Sequence, residues 1–233
     1  MPDSVEEGTI VGMTEHIDFL QLRDFAVSTA TRAAELIAAR RAQLVAGDGI
    51  AAQTSTKSSD VDPVTEVDTA TEEFIATTIR TQRPGDGIFG EEGANVESTS
   101  GVTWIVDPID GTVNFLYGVP DFAVSIGAEY QGRLVAGAVV NVARGRTYAA
   151  AAGQGATVTG PDGKVHPLQC AHTKNPALAL VATGFGYDAQ RRAAQAELLT
   201  KLLPQVRDIR RIGAAALDLC RVACLLYTSD AAD

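Results

Sequence analysis

Two stretches of this chain run from apolar residues into acids: Ile88-Phe-Gly-Glu-Glu92 and Trp104-Ile-Val-Asp-Pro-Ile-Asp-Gly-Thr112. A side chain at the end of a buried strand is fixed by a rigid scaffold yet open to a cleft, a good place for chemistry. Asp107 closes the apolar run, and Pro108 biases it toward an extended backbone. Asp110 follows three residues later, close enough to converge with Asp107 on one ion, with the Ile109 carbonyl between them. Glu91 and Glu92 supply a further acid from the other strand. Oxygen-only ligands of this kind suit Mg²⁺ better than zinc, which recruits nitrogen or sulfur. Mg²⁺ held by few carboxylates keeps waters, one of which can become a nucleophile. Gly111-Thr112 adds exposed backbone N–H groups at a possible helix start, an anion site. Together these describe metal-assisted attack on a phosphate. An isolated acid at a strand end is more often a solvated loop residue, and Asp-Gly is a common turn dipeptide. The joint pattern is what carries the reading.

The elements that must position these acids follow from periodicity. From Thr14, Leu22, Phe25, Ala26, Thr29, Ala33, Leu36 and Ile37 recur at three and four, a helix ended by Gly47 and Gly49. A Ser/Thr-rich loop precedes a second helix, whose stripe is Val67, Thr71, Phe74, Ile75, Thr78 and Ile79 and which Pro84-Gly85 closes. Asp68, Glu72 and Glu73 crowd its first turns, where the helix dipole favours acids. The period then changes. Residues 121–130 and 133–142 are apolar runs joined by Gln131-Gly132, a hairpin signal. Residues 146–152 and 155–160 continue a meander, residues 178–185 read as a buried strand, and helices are expected over about 189–203 and 213–223. Helices around a meander, followed by further β and α segments, predict an α+β fold of stacked helix and sheet layers.

Bulk composition bounds the partners. The chain has 233 residues, 45% of them hydrophobic and 21% charged, which fits a packed globular protein rather than disorder. Its net charge of −10 gives no electrostatic reason to seek nucleic acid or an anionic membrane. An anionic substrate would need a local cation to reverse that field. Three cysteines are too few for a disulfide framework, and no signal peptide or bilayer-length apolar run is visible, so a cytoplasmic setting is expected. Cys220 and Cys224 read as packing residues, Arg191-Arg192 and Arg210-Arg211 as solvated helix faces. Lys57 is equally a phosphate neighbour or a solvated side chain, and His166 and His172 receive no role.

With these motifs in view, the sequence resembles the inositol monophosphatase family, the Mg²⁺-dependent, lithium-sensitive phosphatases. The resemblance spans about residues 16–224. Besides Gly-Glu-Glu and the Asp107–Phe115 motif, it is carried by residues 57–68, Thr183-Gly-Phe185 and Arg210–Cys220. It implies a layered α/β/α/β/α sandwich, with a first pair of layers over about 15–165 and a second over about 166–224. It also implies two or three Mg²⁺ ions, a small-molecule phosphate ester as substrate, and a homodimer. Glu91, Asp107 and the Ile109 carbonyl would hold one ion, while Asp107 and Asp110 would supply part of a second site. Thr112, oriented by Asp68, would work with Glu91 to position and activate the attacking water. The amides of Gly111 and Thr112 would receive the phosphate, and Asp110 and Ala215 would contact the substrate. Water would attack in line, without a covalent intermediate. Val113-Asn114-Phe115 resembles the inositol-phosphate branch more than those acting on 3′-phosphoadenylate or histidinol phosphate; a sibling phosphatase for either of these or for fructose bisphosphate is one alternative. A non-catalytic interaction protein on the same scaffold is the remaining alternative.

The chain departs from that family after Cys224. The family continues with a Trp-Asp-x-Ala-Gly block whose Asp completes the second metal site; here residues 225–233 carry no such block. The expectation is therefore a fold incomplete at its C-terminus, a non-native tail over 225–233, a disordered segment over 1–14, and low activity for this chain.

Overall fold

The computed structural model describes residues 17–46, 54–56, 63–170 and 173–224, and for 45–46, 54–56 and 63–65 the backbone alone. The expectations for residues 1–14, Lys57, His172 and 225–233 lie outside the described residues.

In chain order the elements are α1 (Phe19–Ala46), β1 (Thr54–Thr56), β2 (Pro63–Thr65), α2 (Glu66–Gln82), β3 (Gly87–Gly90), β4 (Asn95–Val96), β5 (Val102–Asp110) and α3 (Thr112–Tyr117). There follow β6 (Ala123–Tyr130), β7 (Arg133–Asn141), β8 (Arg146–Ala151), β9 (Gly155–Thr159), β10 (Val165–Pro167), β11 (Leu180–Ala182), α4 (Ala189–Leu202), β12 (Asp208–Arg210) and α5 (Ala215–Ala223). An eight-stranded sheet runs β10-β9-β8-β7-β6-β5-β3-β4, and β11 pairs in parallel with β12 in a small separate sheet.

The α1 stripe buries Leu22, Ala26, Ala30, Ala33, Ala34 and Ile37. Its alanines let the helix lie close on β6, β7 and β8, which it packs across. Asp18 starts α1 by accepting the Leu20 N–H at 2.8 Å. The hairpin between β6 and β7 forms as the sequence predicts: Gln131 and Gly132 both take positive φ, 52° and 74°, as a two-residue turn of this hand requires. α5 covers the opposite face through Leu217, which packs with Ala123, Tyr148 and Ala214. The result is an α+β sandwich with its main core between α1, α2 and the large sheet. Trp104 sits fully buried in that core, its Nε1 donating to Asp86 at 2.8 Å. Among the described residues no helix is long and apolar enough to cross a membrane.

Three expectations change. The strand bearing Asp107 does not end there but continues to Asp110, with a break in its register against β6 between those two residues. That irregularity re-aims the two carboxylates, as bulges beside functional sites do. Residues 180–182 are half-buried rather than a core strand. A short strand, β12, forms over residues that carry no strand pattern, because Asp208–Arg210 lies alongside β11.

Candidate active site

The site is built at the carboxyl ends of two parallel neighbours. β3 and β5 pair with Gly90 opposite Val106, so one further step along each chain brings Glu91 and Asp107 side by side. The Glu91 N–H donates to the Val106 carbonyl at 3.1 Å, tying the acid-bearing turn to β5. The sequence shows two acid-ended strands; the pairing shows how they come to lie side by side.

Around this junction lies an open cavity of about 700 Å³, whose lining includes Glu91, Asp107, Asp110, Thr112, Arg211 and Ala215. Asp107 Oδ1 is buried with no hydrogen-bond partner. Burial, then the charges of Glu91 and Asp110, a hydrogen bond shared with Glu91 and the charge of Asp68 push the Asp107 carboxyl up to about 9. Asp110 is also raised, first by burial; the α5 amides oppose this and Glu91 adds to it. Its two oxygens accept the N–H groups of Ala215 at 3.1 Å and Ala216 at 2.7 Å, so this acid also anchors the start of α5.

Thr112 opens α3. Its hydroxyl donates toward Asp68 Oδ2 at 3.4 Å and the Ile109 carbonyl at 3.1 Å. Asp68, on α2, is 2% exposed, deep enough for its charge to matter to the neighbouring acids. Gly111 turns the chain at φ +89°; a Cβ there would stand 3.1 Å from the Asp121 and Gly213 carbonyls. Only glycine accepts both the left-handed backbone and that close approach. Gly111 and Ile109 line the cavity with Thr112.

The predicted residues Glu91, Asp107, Ile109, Asp110, Gly111, Thr112 and Ala215 thus all meet at one cavity, with Asp68 behind Thr112. Ala215 reaches it with its amide committed to Asp110. Sequence reasoning missed Arg211, Asp218 and Tyr187, which line the same space. Asp218 stands one helical turn beyond Ala215 on α5, a signal that the i, i+3 spacing carried. Arg211, read as a solvated helix face, instead reaches the cavity from the turn before α5, over Gly213. Asn114 and Phe115 do not touch the cavity. Phe115 packs in the core, and the Asn114 amide donates to the carbonyls of Asp121 at 2.6 Å and Ile212 at 2.9 Å. This residue ties the acidic motif to the segment entering α5.

The donors fit a hard cation. A buried carboxylate oxygen without a partner, on an acid whose pKa burial and neighbouring acids raise, is the arrangement a divalent ion would relieve. Among the described residues no three His, Cys, Asp or Glu side chains stand together closely enough to hold an ion by themselves.

Comparison with known proteins gives the class. The model of the inositol monophosphatase family matches residues 18–227, and the chain belongs to that family. It is therefore a phosphatase by family. Over 212 residues it is 50% identical to the inositol-1-monophosphatase SuhB of Mycobacterium tuberculosis, covering 87% of this chain and 72% of that protein. The solved structure of M. tuberculosis SuhB superposes with a TM-score of 0.75 at 44% identity, covering 90% of this chain and 76% of that one. A protein named Nus factor SuhB, from Pseudomonas aeruginosa, is 38% identical over 172 residues, 71% of this chain and 62% of its own length.

Proposed function

We propose that this protein hydrolyses the phosphate monoester of a small polyol, myo-inositol monophosphate foremost, with Mg²⁺ as cofactor. The reading rests above all on Asp107 Oδ1, buried and unpartnered beside Glu91 and Asp110. Glu91, Asp107, Asp110 and the Ile109 carbonyl would hold the metal. When bound, it supplies charge for the phosphate oxygens and a lowered pKa for its water. Glu91 takes the proton of the attacking water, and the Thr112 hydroxyl, aimed by Asp68, fixes where that water stands. The amides of Gly111 and Thr112 face the phosphate, Arg211 adds positive charge to an otherwise acidic cavity, and Ala215 borders the leaving alcohol. The family and the relative named inositol-1-monophosphatase support this choice of substrate.

The test is phosphate release across inositol, histidinol, adenylate and fructose phosphates, with Mg²⁺ or with chelator. Release of phosphate from inositol monophosphate in Mg²⁺, abolished by chelator and by Thr112→Ala, is the expected result; turnover that ignores chelator refutes it. A second reading, a protein-binding role on the same scaffold, is favoured by the relative named as a Nus factor and by an exposed apolar patch. Phe89 and Ile105 are register partners, Leu134 lies beside Gly127 opposite Ile105, and the three are 61%, 37% and 68% exposed. Mutating this patch to serines separates the readings: catalysis persists, and partner capture is lost.

A further inference from the structure

One buried acid takes no part in the chemistry above. Glu72 lies on α2 one turn beyond Asp68, so the two carboxylates share a helix face. It is only 4% exposed. Its oxygens accept the backbone N–H of Glu92 at 2.7 Å and of Ala94 at 2.8 Å. The approach is possible because residue 90 is glycine: a Cβ there would collide with the Glu72 carboxylate. The turn closes on itself through the Gly90 N–H and the Ala94 carbonyl at 3.0 Å, and joins β5 through the Glu91 N–H and the Val106 carbonyl at 3.1 Å. Glu91 is thus held between β5 on one side and a helix-borne carboxylate on the other.

We propose that Glu72 is a positioning residue for the metal centre, setting the turn that aims Glu91 at the ion; this rests on the metal reading above. Burying a carboxylate is costly, and a turn of this length can be closed by backbone bonds alone. What the carboxylate adds is two charge-assisted bonds that fix the turn against the helix that also orients Thr112 through Asp68. One face of α2 therefore places both the metal ligand and the water-orienting hydroxyl. Partners that orient metal ligands typically account for about 10–100-fold in metal affinity when lost.

Glu72→Gln keeps the shape but turns one acceptor into a donor facing an N–H. Gly90→Ala attacks the same contact from the other side. Binding of Mn²⁺ to the full chain, measured by calorimetry, is the readout, with melting temperature followed in parallel. Ile79→Val, a core change on the same helix away from the turn, serves as a destabilised control. Both contact variants are expected to weaken Mn²⁺ about 10–100-fold, while Ile79→Val lowers the melting temperature and leaves Mn²⁺ affinity unchanged. Wild-type Mn²⁺ affinity in Glu72→Gln and Gly90→Ala, or a loss in Ile79→Val as large as theirs, overturns the proposal. Asp107→Asn distinguishes the two levels. If it leaves Mn²⁺ binding intact, the metal reading itself fails; if it abolishes binding while Glu72→Gln does not, only the role of Glu72 fails.

Discussion

The acids and the cavity's far wall come from regions built very differently. Residues 63–170 carry the eight-stranded sheet, with Trp104, Val102 and Ile126 at 0–1% exposure. Beyond residue 173, α4 buries none of its residues, and β11 and β12 are short and half-covered. Leu198 and Leu203 stand 65% and 54% exposed. The acidic half of the site therefore sits on a rigid, densely packed frame, while the half that adds Arg211 and Tyr187 rests on thin packing. Besides the small apolar contact of Ala214 and Leu217 with Ala123 and Tyr148, what joins them is polar. Asp110 holds the first turn of α5, Asn114 holds Ile212, and Asp121 binds both Arg144 and Arg221. Charge is fixed where packing is strongest; shape is left to the looser part.

This contrast can be broken by mutation. Trp104→Ala, which removes a fully buried ring that also packs on Phe25 at 4.9 Å between centroids, is expected to cost about 3–5 kcal/mol in urea denaturation. Asp107→Asn should act in the opposite direction on the metal-free protein. Removing a carboxyl whose pKa burial and neighbouring acids raise to about 9, well above its unfolded value, is expected to add on the order of 2 kcal/mol, roughly 4–8 °C in melting temperature for a chain of this size. A site residue whose loss stabilises the fold marks where packing has been sacrificed to function.

The polar seam gives a pH test. Burial alone would raise the Asp121 carboxyl, but the Arg144 hydrogen bonds and the charge and hydrogen bond of Arg221 outweigh it and hold it below the ordinary value. A lowered folded pKa contributes stability that is full above the unfolded aspartate value of about 3.9 and drains as pH falls through the lower folded value. Asp121→Asn is thus expected to cost about 1–2 kcal/mol at neutral pH. The gap between wild type and variant should close in acid, as unfolding curves from pH 7 to pH 2 would record. Smallest of all, Leu198→Ala on α4 should change stability by less than about 0.5 kcal/mol. A larger loss would mean that the second region is packed more firmly than its exposure indicates.

Much of this was legible in the sequence, for identifiable reasons. The helical stripes of α1 and α2 and the Gln131-Gly132 hairpin follow from local periodicity and turn chemistry. The acids were legible because their types and spacing are unusual together. The parallel pairing that sets Glu91 beside Asp107 was not, since a sequence records strands but not which neighbours they choose. Nor was the register break between Asp107 and Asp110, which depends on how β6 lies against β5. Arg211 was misread because a charged pair before a helix is usually solvated. It reaches the cavity only because Gly213, at φ +90°, leaves room beneath it. Asn114 drew attention as a marker of substrate, yet its amide bridges two backbone carbonyls away from the cavity. Any influence it has on substrate choice runs through the position of α5.

The metal centre proposed at the ends of β3 and β5 stands or falls with ion binding by their acids. It is tested most directly by calorimetric titration of Mn²⁺ into the metal-free chain, wild type beside Asp107→Asn. Saturable binding is expected in the wild type, weakened by at least about 100-fold in the variant. Equal affinity in the two proteins, or no binding in the wild type, would contradict it.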